Sequence, residues 1–127
     1  MIWPIYASLL ALLFVSLSIR TLRLRRRLRV AVGDGGSPLL LRAMRVHANC
    51  AEYVPLGLLL IIGAETVGAA PLMVHGLGSA LLAGRLLHAF GVSQEREVYA
   101  FRVTGMALTF TCYLTASLLI LGRSLLK

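Results

Sequence analysis

Val103 to Leu121 is a run of 19 residues without a formal charge, and it restricts what this chain can fold into more than any other feature. In hydrocarbon every backbone N–H and C=O must be satisfied inside the protein, so an apolar run of about 20 residues reads as an α-helix crossing a bilayer core ~30 Å thick. Ile2 to Ile19 is a second such run, 18 residues long, with Trp3 and Tyr6 near one end where aromatic rings favour the membrane interface. With 58% hydrophobic residues and a mean hydropathy of +0.84, the chain reads as all-α, integral to a membrane and a single domain.

The net charge of +8 requires a partner or a location. Six of the 13 Lys and Arg residues fall between Arg20 and Arg29, directly after the first apolar run, which points to an anionic lipid surface and away from nucleic acid. By the positive-inside rule that cluster lies in the cytoplasm, with the N- and C-termini outside. No basic segment precedes the first run and no small-residue cleavage signal follows it, so the start is expected to remain as an anchor. Four helices are expected, at about residues 2–22, 38–66, 69–91 and 99–122, forming one transmembrane bundle over 1–127. The loop Val32-Gly-Asp-Gly-Gly-Ser-Pro38 has the composition of a turn, with Pro38 opening the second helix. Pro55 is expected to bend that helix. Gly76, Ala80 and Gly84 lie four apart on the third helix, as a close helix contact requires. Cys50 and Cys112 sit in apolar segments without metal or redox spacing and read as small buried side chains.

One segment breaks the apolar pattern. At about 100° per residue, Arg42, Arg45, Asn49, Glu52 and Tyr53 fall on one side of the second helix as it enters the hydrocarbon. Charges at that depth face a bundle interior or a wet cavity, because lipid cannot solvate them. Arg85 and His88, three apart on the third helix, and Arg102 in the first turn of the fourth are expected at the same depth. Such a net cationic layer suits a small ligand bearing carboxylates, which arginine grips in pairs of hydrogen bonds, while Glu52 accepts from an ammonium. A thiol on the same ligand would be biased toward thiolate by a neighbouring arginine. The same residues also fit a structural seam in which Arg45 and Glu52 pair across helices. His47 points away from Asn49 on the helical wheel and is expected to meet a neighbouring helix or loop, and His75 lies far from the layer.

Arg45-Val-His-Ala-Asn-Cys-Ala-Glu-Tyr-Val-Pro55 resembles the Arg-x-(His/Gln)-x-Asn-x-x-Glu-(Tyr/Thr) signature of the MAPEG family, membrane-associated proteins in eicosanoid and glutathione metabolism. Gly84-Arg85-Leu-Leu-His88 resembles that family's third-helix motif, and Arg102 stands in the place of its fourth-helix arginine. Arg29-Val-Ala-Val-Gly-Asp-Gly-Gly36 looks closest to the bacterial inner-membrane branch. The resemblance implies a homotrimer with glutathione at each subunit interface near the cytoplasmic face. It implies that Arg45, Asn49, Glu52, Tyr53, Arg85 and His88 bind the tripeptide and that Arg102 is the catalytic, thiolate-stabilising residue. The implied activity is a glutathione transferase or peroxidase acting on hydrophobic electrophiles. Val92 and Val103 stand where synthases of the family carry tyrosine and serine, which leaves a non-catalytic lipid- or glutathione-binding scaffold as the alternative. A transporter fits less well, since the charges gather on one side and not at the midplane. There is no metal motif and no dinucleotide fingerprint.

Overall fold

The computed structural model describes residues 1–126, which form four α-helices, α1 (Trp3–Leu28), α2 (Pro38–Thr66), α3 (Pro71–Ser93) and α4 (Tyr99–Leu125). Lys127 lies outside the described residues. Proline stands in the first turn of α1, α2 and α3, where its missing N–H is not needed and its fixed φ suits a helix start. Ser37 caps α2 by accepting from the Leu40 N–H at 3.3 Å. Ahead of it, the Asp34 carboxylate accepts from the Gly36 N–H at 3.0 Å. Gly35 has φ +58°, and a Cβ there would come within 2.5 Å of the Val30 side chain, so this turn admits no larger residue unless Val30 moves.

The first helix runs beyond its expected end at residue 22 to Leu28. Arg25, Arg26 and Arg27 form its last turn, where cations complement the partial negative charge of the exposed carbonyls, so the basic cluster extends the helix where a loop was expected. Arg29 ends it in the left-handed conformation at φ 55°, and the Arg25 guanidinium reaches forward to the Gly33 carbonyl at 2.9 Å. The third helix starts at Pro71 instead of residue 69, and the fourth continues to Leu125.

The helices run alternately up and down. At one end, Glu65 near the finish of α2 accepts from the backbone N–H groups of Ile2 at 2.6 Å and Trp3 at 3.0 Å, and Arg123 of α4 donates to the Gly68 carbonyl at 2.9 Å. At the other end Arg20 of α1 donates to Ser93 Oγ, and Arg42 of α2 donates to the Val92 carbonyl at 3.3 Å. Most of the arginines gather at that second end. Helices α1, α2 and α4 are each long and apolar enough to cross a membrane. Helix α3 lies alongside them and reaches a similar length, 23 residues or roughly 35 Å. It carries His75, Arg85 and His88, and it packs most extensively against α4.

The interior is layered. Leu10, Ile61, Val74, Leu77, Leu81, Cys112 and Ala116 fill one half, and Leu17, Val46, Cys50 and Val92 fill a smaller cluster toward the basic end. Both cysteines are buried and free, as expected of small packing residues. Leu12, Leu59, Leu114 and Leu118 face outward and are more than half exposed, a surface suited to lipid. The small-residue contact on α3 differs from the expected row. A Cβ on Gly76 would meet nothing from the rest of the bundle within 4 Å, whereas a Cβ on Gly84 would lie 2.7 Å from the Gly105 carbonyl oxygen, and one on Gly105 would lie 2.6 Å from that of Gly84. The α3–α4 crossing thus rests on Gly84 meeting Gly105. A second glycine seat, Gly78, receives the ring of Tyr6.

Candidate functional site

The close approach of α4 to α3 brings together what the sequence spreads over sixty positions. On α2, Arg42, Arg45 and Asn49 stand at i, i+3 and i+7 and so share a face. Together with His88 and Val92 of α3, Glu97 of the following loop and Arg102 of α4, they line a cavity of about 310 Å³ at the basic end of the bundle. Gly91 helps shape this corner, since a Cβ there would meet the Arg102 backbone nitrogen at 3.0 Å. His88 is 7% exposed.

The cavity's electrostatics are those of three guanidiniums against one carboxylate. Arg102 Nη1 lies 2.8 Å from Glu97 Oε1, with the arginine side chain 49% exposed and the glutamate 14%. Arg42 is held to the Val92 carbonyl, and Arg45 is exposed. The surplus positive charge suits an anionic ligand, and paired N–H donors suit carboxylates in particular.

Arg85 does not line the cavity. It stands behind it, 2% exposed. Its Nη1 donates to Asn49 Oδ1, and its Nη2 donates to Thr109 Oγ1 at 2.7 Å. The guanidinium carbon sits 5.2 Å from the centroid of the Tyr53 ring, a cation–π contact. Its Nε has no hydrogen-bond partner among the described residues. Tyr53 is likewise below the cavity, packed against Phe110 and Tyr113, and its carbonyl accepts from the Tyr113 hydroxyl. Glu52 is exposed on the outer face of α2, and neither ion pair among the described residues includes it.

Of the eight residues singled out from the sequence, the fold therefore gathers Arg42, Arg45, Asn49, His88 and Arg102 around one cavity. It puts Arg85 and Tyr53 in a layer beneath and leaves Glu52 outside. The helical wheel reports direction but not depth, and Tyr53 lies past the point where Asn49 and Arg85 close the cavity off, while Glu52, at the edge of the polar arc, turns to the outer face of α2. Glu97, which was not among the residues singled out, lies in the loop between α3 and α4. The signal that marks it is an acid five residues before Arg102, spanning the start of α4, where its side chain can turn back along the first turn. His47 meets α1, with Nε2 at 2.9 Å from Ser18 Oγ and its ring stacked on Phe14. His75 pairs with the Tyr6 hydroxyl at 3.0 Å in the far half of the bundle.

The family model that matches this chain is that of the MAPEG family, over residues 3–122. Two relatives, each named Inner membrane protein YecN and coming from two strains of Escherichia coli, are 41% identical to it over 114 residues. That alignment covers 90% of this chain and 86% of each relative.

Proposed function

This chain belongs to the MAPEG family, and from that premise we propose that it is a glutathione transferase or peroxidase of the bacterial inner membrane. Glutathione enters from the cytoplasm, and the electrophile arrives through the lipid. The observation that carries this reading is the cavity in which Arg42, Arg45 and Arg102 face one hollow beside Asn49 and His88. Arg42 and Arg45 grip the tripeptide's carboxylates, and Asn49 donates to a carbonyl or carboxylate oxygen. Arg102 holds the sulfur as thiolate by favouring its charged form. The thiolate sulfur then forms a bond to the electrophilic carbon, and the displaced group leaves with its electron pair. A homotrimer completes the site: a second copy covers the exposed side of α2, where Arg45 and Glu52 point, and Glu52 accepts from the ligand's ammonium. The arginine-rich end is cytoplasmic, with both termini on the opposite side.

Titration calorimetry of glutathione against the purified protein, repeated with Arg45→Ala, tests the binding step, and binding that is unchanged in the variant overturns it. Arg102→Ala is expected to retain glutathione while losing conjugation of a hydrophobic acceptor. Equal turnover by that variant discards the mechanism.

A non-catalytic, ligand-presenting member of the family is the second reading. It is favoured by Arg102 being engaged with Glu97 and by Val92 occupying the cavity wall. Thiolate absorbance in the ultraviolet on adding glutathione separates the two, because presentation does not need an ionised thiol.

A further inference from the structure

A second hollow at the basic end shares no lining residue with the cavity above. Ser16, Ile19, Arg20, Arg23 and Leu24 of α1 and Leu39 of α2 enclose an open groove of about 460 Å³. Its α1 members fall at i, i+3, i+4, i+7 and i+8, one continuous face of the helix. Ser16 and Ile19 belong to the last turn of the uncharged run, and Arg20 and Arg23 are the first cations after it. The groove therefore straddles the boundary between hydrocarbon and headgroups, apolar on one side and cationic on the other. Its two arginines differ in freedom. Arg20 is fixed by donating to Ser93 Oγ of α3, while Arg23 is exposed and donates no hydrogen bond among the described residues.

We infer that this groove seats an anionic phospholipid of the surrounding leaflet, its phosphate between Arg20 and Arg23 and an acyl chain along Ile19, Leu24 and Leu39. Charge complementarity selects this occupant. A zwitterionic lipid would bring an ammonium toward a segment holding six arginines, and a soluble phosphate would leave the apolar wall uncovered. A lipid bound there bridges α1 and α2 and, through Arg20 and Ser93, bears on α3. The inference does not depend on what occupies the neighbouring cavity.

The full-length protein in phosphatidylcholine nanodiscs, titrated with phosphatidylglycerol carrying a fluorescent acyl chain, provides the test. Arg20→Gln/Arg23→Gln is expected to weaken binding by about 10- to 30-fold, the effect of two interfacial cations. Arg27→Gln/Arg96→Gln removes the same charge from exposed positions at the same end and is expected to change binding by less than about threefold. Arg23→Gln alone, which breaks no hydrogen bond described here, keeps the test valid if the double variant melts early, and about fivefold weakening is expected. Three results overturn the proposal: equal losses in the two double variants, equal affinity for phosphatidylcholine, or displacement of the lipid by glycerol phosphate at comparable concentration.

Discussion

Arg85 Nη1 donates to Asn49 Oδ1 across the contact between α2 and α3, and this one bond decides what the cavity presents. A guanidinium has donors only, so the amide oxygen must face Arg85 and the two amide N–H donors are left for the cavity that Asn49 lines. At that position the site accepts a carboxylate or carbonyl oxygen and repels an ammonium.

Asn49→Asp exchanges those donors for an acceptor. Affinity for glutathione is expected to fall by roughly 10- to 100-fold, the scale of a hydrogen bond to a charged group. The melting temperature is expected to hold, since the new carboxylate still receives Arg85. Calorimetry and thermal unfolding on the same preparation check both halves, and a large loss of stability would mean that Asn49 acts through packing.

Gly84→Ala or Gly105→Ala places a methyl group within 2.7 Å of a backbone oxygen on the facing helix. Separating α3 from α4 is expected to cost about 1–3 kcal/mol and to open the seat of Arg85 and Thr109. Gly76→Ala has open space around it and is expected to leave stability unchanged or raise it by up to ~1 kcal/mol. Unfolding of the three variants in one detergent ranks them.

Glu97→Gln releases Arg102 from its own carboxylate partner. Because the pair is partly solvated, it is worth at most about 1 kcal/mol, and the variant is expected to bind anionic ligands up to about fivefold more tightly at low salt. The gain is expected to shrink as ionic strength rises. Titrations at two salt concentrations would expose a role for Glu97 other than competing for Arg102.

Glu65→Ala removes the carboxylate that accepts from the Ile2 and Trp3 N–H groups, and no side chain of α1 itself caps that end. A lower melting temperature is expected, as for the loss of a helix cap. Hydrogen exchange at those two amides reports it directly, and unchanged protection would exclude the contact.

The number of helices, their order and the clustering of basic residues at one end were legible in the sequence because they follow from charge-free length and from prolines that open helices. The end of α1 was not, since a run of arginines reads as a loop by polarity while the carbonyls at a helix C-terminus welcome it. Of the site, Arg45, Asn49, His88 and Arg102 could be read from spacing and motif. The burial of Arg85 could not. It depends on how closely α4 approaches α3, and that is set by Gly84 and Gly105 meeting backbone to backbone, a pairing of residues 21 positions apart that no periodicity within either helix encodes. The same blindness misplaced the glycine contact on α3: the repeat of Gly76, Ala80 and Gly84 is real along the helix, but a Cβ on Gly76 would meet nothing, Ala80 packs on the apolar core, and Gly84 alone of the three meets a helix backbone.

Glu65 also bears on how the protein is made. The group that closes the opening turn of α1 is delivered from the far end of α2, so the first span cannot complete its own bonding when it alone has left the ribosome. It is finished only once the second has been threaded back across the bilayer, and the smallest unit that can settle is the helical hairpin.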